Sequence, residues 1–324
     1  MSRRPARSTR LAVGLGLAAV VLVAGCGGDG DDPAQAGDLV RGRLGGVDGT
    51  SHTLLLPNGL LTVVVADGAS SIGPTEAADG TEHPAPDGTE WVALDWSFDP
   101  GRGIEPWQRA LMEDKAQRTT LDLVAGDVTT DLGDAPGSTS TPAEVRTGGT
   151  VYVAVDTEDA AVIEVTFDGA TTHIDTGTGE VSGDRADAIT DLTAPVFDDC
   201  PPLRGSGAQA EITCSYIITT IPYLAGSGWS DDGWTVAQVE TRGDTFVRGR
   251  GTYAVQSTED DSGFDGETGT SEVADELLNR LITRVVTEGD AEQLDIVRRL
   301  TGFLTDGTGP EDATVELGAT VDLG

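Results

Sequence analysis

Basic charge is scarce in this chain of 324 residues: 20 lysines and arginines stand against 55 aspartates and glutamates, for a net charge of −35, and Lys115 is the only lysine. Such a surface repels nucleic acid and anionic lipid headgroups, which excludes nucleic-acid binding. Histidine and cysteine are scarce too, at three each. His52, His83 and His173 are scattered without metal-ligand spacing, and there is no C-x-x-C pair. No G-x-S-x-G, phosphate loop or G-x-G-x-x-G at a strand–helix junction is present, so no nucleophile–base pair can be assembled from the sequence. One long apolar run exists, from Leu11 to Ala24, and it is shorter than the roughly 20 residues of a spanning helix.

What is there begins with that run. Arg3, Arg4, Arg7 and Arg10 precede it with no acidic residue, and Val23-Ala24-Gly25-Cys26 closes it. This arrangement resembles the lipobox signal of bacterial lipoproteins. The resemblance implies that residues 1–25 are a removable signal peptide. It also implies that Cys26 receives a diacylglycerol and becomes the mature N-terminus, so that the protein sits on the extracytoplasmic face of the cell membrane. One acyl chain binds membranes only marginally, and the family's lipidation meets the need for more. Ser2-Arg3-Arg4 hints at twin-arginine export, but Pro5 and Ala6 stand where a hydrophobic pair is usual. Residues 26–37 read as a flexible acidic tether, spanning about 20 Å as a random coil. Residues 1–25 hold four of the basic residues and no acidic one, so the remainder is more acidic still. The covalent lipid, rather than surface charge, is therefore expected to hold the protein to its membrane.

In that compartment the two other cysteines, Cys200 and Cys214, are expected to pair. Neither has a nearby histidine or C-x-x-C partner, and closing the loop between them would contribute on the order of 3 kcal/mol. The acidity itself suits either calcium or cationic partners, or simply a solvated, self-repelling surface. Aspartate outnumbers glutamate by 36 to 19, which favours a chain with many turns.

The chain is long enough for one large or two ordinary domains. The segment His52–Val65 predicts a hairpin turning at Asn58-Gly59. In Glu90–Phe98, Val92, Leu94, Trp96 and Phe98 alternate with Ala93, Asp95 and Ser97, the pattern of a half-buried strand. Further strands are expected at Thr120–Val124, Val151–Val155 and Ala161–Phe167, with a hairpin from Thr171 to Val181 and one short helical turn after Pro106. Pro195–Pro202 marks a boundary, dividing a first β-sandwich-like domain (38–194) from a second β-rich domain (195–324). Past it, strands fit Glu211–Ile221, Trp234–Thr241 and Phe246–Gln256. Val273, Leu277, Leu278, Leu281, Ile282, Val285 and Val286 then predict a helix over 271–287, capped by Ser271. Leu294, Val297, Leu300 and Leu304 predict a second over 291–304. Thr314–Leu323 is strand-like.

Several clusters invite a functional reading. Ile174-Asp175-Thr176-Gly177 matches the short aspartic-protease signature, but only one such triplet exists and the chemistry needs two facing carboxylates. A turn is the simpler account. Asp261, Asp265, Glu267 and Glu272 lie in a segment with partial calcium-loop spacing. Gly263 and Gly269 occupy ligand positions, which favours an ordinary acidic surface loop, so no cofactor is expected unless it is calcium. Trp229 and Trp234 flank a turn, either as an aromatic recognition platform or as core residues.

The expected fold is mainly β: tandem β-sandwich domains, the second with a helical hairpin. Asp87–Phe98 resembles the small immunoglobulin-like domains of extracellular bacterial lipoproteins, which implies adhesion or partner binding. The expected function is a binding or structural module of the cell envelope, with an envelope protein or ligand as partner. The alternative is an envelope hydrolase with an acidic active site. A pocket gathering acids with a histidine would favour the hydrolase.

Overall fold

β-branched and aromatic residues at every second position make strands wherever one face can be buried, and here they do so along most of the chain. The computed structural model describes residues 35–324 apart from 44–46, 101, 115, 136–147, 186–188, 191, 269 and 278–279, and without the side chains of 67 and 267–279. The expectations for residues 1–25, for Cys26 and for most of the 26–37 tether lie outside the described residues.

The first part comprises β1 (Leu39–Arg41), β2 (Thr50–Leu56), β3 (Gly59–Ala69), β4 (Ser71–Ile72), β5 (His83–Pro84), β6 (Thr89–Pro100), α1 (Pro106–Met112), β7 (Thr119–Ala125), β8 (Val128–Ala135), β9 (Gly148–Asp156), β10 (Ala161–Phe167), β11 (Ala170–Asp175) and β12 (Val181–Gly183). A first sheet runs β1-β9-β6-β3-β2, a second runs β12-β11-β10-β7-β8, and β4 pairs with β5. The pairings in them are antiparallel. Val92, Leu94, Trp96 and Phe98 all point into one apolar core, as their alternation predicts, and Leu121, Leu123, Ile163, Val165 and Phe167 of the second sheet fill it from the other side.

The second part comprises β13 (Val196–Asp199), β14 (Ala208–Ala210), β15 (Thr213–Leu224), β16 (Gly228–Arg242), β17 (Thr245–Arg248), β18 (Arg250–Asp260), β19 (Gly263–Phe264), β20 (Glu267–Thr268), β21 (Thr270–Leu277), β22 (Arg280–Glu288), β23 (Gln293–Thr308) and β24 (Asp312–Asp322). A third sheet runs β13-β15-β16-β22-β21, and a fourth runs β14-β17-β18-β23-β19-β20 with β24 beside β23. Cys200 and Cys214 form a disulfide, Cα to Cα 5.2 Å, where β13 leads away from β15.

Three expectations need correction. The segments 271–287 and 291–304 are not helices: they fall in β21, β22 and β23. Their apolar residues fit a helical period because β22 is covered on both faces. Val285 packs in the core between the third and fourth sheets, and Val286 packs against the core of the first part. A strand buried on both sides reads as a continuous apolar run, without alternation. The hairpin of β2 and β3 turns at Pro57-Asn58, since Leu56 pairs with Gly59, and Asn58 does not have positive φ. Buried Asn58 instead donates through Nδ2 to Thr119 Oγ1 at 3.2 Å. The left-handed pair of a type I′ turn is at Asp168-Gly169, with φ of 45° and 77°, between β10 and β11. Finally, Phe246–Gln256 is two strands, because the chain reverses at Gly249 (φ 64°).

Candidate functional site

The inward rows of the second part carry polar residues that the periodicity concealed. Along β23, Leu294, Ile296, Arg298 and Leu300 are all buried, with Arg298 wholly so (0%). Leu294 and Ile296 belong to one apolar cluster and Leu300 to another, so the guanidinium lies between two cores. It forms an ion pair with Asp260 of β18, whose side chain is 2% exposed. Around the pair, Arg298 Nε donates to Thr241 Oγ1 at 3.1 Å, Nη1 to Ser262 Oγ at 2.7 Å and Nη2 to Thr283 Oγ1 at 3.0 Å. Ser262 Oγ donates to Asp260 Oδ1 at 2.6 Å and accepts from the Val297 amide at 3.0 Å. Thr241 and Thr283 come from the third sheet, so one side chain ties two sheets together. Burial pulls the Arg298 guanidinium down to about 10, and it stays charged at neutral pH. This cluster is structural: it is sealed from solvent, and its donors face internal acceptors.

The accessible feature is a groove of about 600 Å³ at one end of the third sheet. One wall is Val196 of β13 with Tyr216 and Ile218 of β15, and the other is Asp290, Ala291, Glu292, Asp322 and Leu323. Within the second wall the Leu323 amide donates to Glu292 O at 2.8 Å, joining its two stretches of chain. Burial, with the negative charge of Asp198, holds the Tyr216 phenol above its ordinary value. The groove gathers acidic groups, and its described lining includes no histidine.

The described residues singled out from sequence do not line this groove, although Asp265 bonds to the backbone of its Glu292. Asp175 Oδ1 accepts from the Gly177 amide at 3.0 Å and from the Thr178 amide at 2.7 Å and hydroxyl at 2.8 Å. The Thr178 bonds, with that of Gly177, hold its carboxyl below the ordinary value, in a turn leading from β11 to β12. Asp265-Gly266, with φ of 53° and 79°, is the type I′ turn of β19 and β20. Asp265 Oδ1 accepts from the amides of Glu292 and Gln293 at 3.0 and 2.8 Å, and Asp261 pairs with Arg299 at 3.1 Å. The side chains of Glu267 and Glu272 lie outside the described residues. Among the described residues, no group of three or more His, Cys, Asp or Glu is placed to hold a metal ion. Trp229 Nε1 donates to Phe167 O at 3.1 Å, and its ring meets Phe167 and Tyr223 edge-on, with Arg185 over it at 5.7 Å. Trp234 Nε1 donates to Gly228 O at 3.0 Å. His83 pairs with Asp79 at 2.9 Å and His173 with Glu164 at 3.2 Å.

Sequence reasoning missed both the Arg298 cluster and the groove. The first had one usable signal, an arginine in phase with Leu294, Ile296 and Leu300. The groove's residues come from five separate stretches of chain, and no local pattern links them. No helix among the described residues is long and apolar enough to cross a membrane. No family model, curated protein or solved structure matches the chain.

Proposed function

We propose that this chain is a lipid-anchored binding or structural module of a bacterial cell envelope, held on the extracytoplasmic face of the membrane through Cys26. The observation that carries the reading is Val23-Ala24-Gly25-Cys26, behind an arginine-rich start and a short apolar run. The Cys200–Cys214 disulfide supports it, because such bonds persist in oxidising compartments outside the cytoplasm. In this reading the two pairs of sheets are tandem sandwiches, and the likeness of Asp87–Phe98 to small immunoglobulin-like domains supports partner binding. An envelope enzyme gains no support from the groove, which gathers acidic residues without a histidine. No calcium requirement is proposed: the described carboxylates of the candidate loop, Asp261 and Asp265, are already engaged by Arg299 and by backbone amides.

The test is metabolic labelling with an alkyne fatty acid in a bacterial host, followed by detergent partitioning. The unaltered chain is expected to take up label and enter the detergent phase, and Cys26→Ala to do neither. An unlabelled parent chain, or a Cys26→Ala variant that stays with the membrane, would overturn the reading.

A further inference from the structure

β13 is an edge strand whose side chains are all exposed: Val196 is 52% and Phe197 65% accessible, unusual values for large apolar residues. Its register pairs Val196 with Ile218 and Asp198 with Tyr216. The Cys200 amide donates to Cys214 O at 3.0 Å, so by antiparallel alternation Asp198 and Val196 direct their backbone groups at β15. Phe197 and Asp199 then turn theirs outward. The Asp199 amide accordingly donates to the Asp198 carboxylate at 2.8 Å rather than to β15. Residues opposite one another share a face, so Asp198 lies on the face of Tyr216, and Val196, Tyr216 and Ile218 line the groove that Asp290, Glu292 and Asp322 also line.

We infer that the outer edge of β13 takes an extended cationic segment of another polypeptide by strand addition. Its backbone pairs with Phe197 and, as a basic side chain draws the Asp198 carboxylate off the Asp199 amide, with Asp199, and its arginine or lysine side chains reach over the groove to Asp290, Glu292 and Asp322. Main-chain pairing supplies affinity in this mode and alternate side chains supply selectivity. Charge selects the occupant. A second copy of this edge would bring its own Asp198 and Asp199 to the carboxylates already there, and gathering like charges on paired strands is unfavourable, whereas a basic strand meets carboxylates of opposite charge. The inference rests on the binding-module reading but not on the lipid anchor.

The experiment uses the full chain in detergent, titrated with a short blocked peptide of alternating arginine and valine. Binding is read by calorimetry, and the site by amide hydrogen exchange. Saturable binding that weakens with salt, with new protection at Phe197 and Asp199, is expected. Phe197→Pro removes one outward N–H and leaves the β15-facing bonds, and the triple variant Asp290→Asn, Glu292→Gln, Asp322→Asn removes the charge. Each should weaken binding by about tenfold or more, the equivalent of 1.4 kcal/mol. Protection elsewhere, or equal binding of a matching peptide with glutamate in place of arginine, would overturn the site while leaving a binding module standing. No binding at about 1 mM peptide, an affinity weaker than about 4 kcal/mol, would mean that Asp198 and Asp199 only guard the edge. A dimer abolished by Phe197→Pro would make a second copy the occupant and refute the cationic partner.

Discussion

Both parts of the molecule are built of antiparallel sheets but hold them together differently. Between the first and second sheets lies one continuous apolar core, from Leu54 and Leu61 through Leu94 and Trp96 to Ile163 and Phe167. The corresponding space in the second part is divided, with Arg298 and Asp260 separating a cluster around Ile296 from one around Leu300. An apolar core is non-directional and responds to lost volume. A buried ion pair is directional: it costs desolvation, and it tolerates loss of both partners better than loss of one. Antiparallel sheets can therefore be joined in two ways within one chain, and the two ways differ in which substitutions they tolerate.

The largest effect is expected from Arg298→Met, which strands Asp260 inside the fold; it should cost about 3–5 kcal/mol in denaturant unfolding. Leu94→Ala in the first part should cost about 2–5 kcal/mol, as lost transfer energy plus a cavity. No second substitution of opposite charge should rescue it. A loss from Arg298→Met below that of an exposed arginine, or charge sensitivity at Leu94, would break the comparison.

How much of this was legible follows the same division. Val92, Leu94, Trp96 and Phe98 announced their strand because all four face one apolar cluster, while Asp95 and Ser97 alternate with them outside it. In β22 and β23 the inward rows are Leu281-Thr283-Val285 and Leu294-Ile296-Arg298-Leu300, so polar residues sit where the pattern demands apolar ones. Meanwhile Ile282, Val286 and Val297 place apolar residues on the other face. Inverting the two faces in part left spacings that mimic a helix. The disulfide could be expected because only two cysteines remain beyond Cys26. The groove could not, because tertiary structure alone brings β13 near Asp290 and Asp322.

The remaining predictions sharpen the contrast. Replacing Cys200 and Cys214 by alanine opens a closed loop of 14 residues' separation and should cost about 3 kcal/mol. The loss should appear in exchange of the third sheet and spare the first. Next comes the junction between the parts, where buried Gln108 of α1 donates through Nε2 to Thr193 O at 2.8 Å and to Thr219 Oγ1 at 2.9 Å. Gln108→Ala should cost about 1–3 kcal/mol and split one unfolding transition into two. A single unaltered transition would show that the core spanning Tyr223 and Phe167 couples the parts without it.

Smallest are the pH effects, and they have opposite signs. Asp122 is raised above its ordinary value by burial and by Asp131 and Glu164 across the second sheet. Its contribution is therefore greatest below about 3.8 and declines as pH rises through the folded value. Glu240 is lowered by Arg280, 2.8 Å away, so its contribution is present above about 4.5 and is lost as pH falls. Asp122→Asn should raise the melting temperature slightly at neutral pH, while Glu240→Gln should lower it there and flatten its acid limb. Identical pH profiles for both variants would contradict these assignments.

The most direct test of the division is a double-mutant cycle on Arg298→Met and Asp260→Val, read by chemical unfolding. The account predicts strong coupling: each single variant is badly destabilised, and the double variant recovers most of the loss because no charge is left stranded. A double variant whose loss equals the sum of the two single losses would contradict it, and would leave the second core as ordinary as the first.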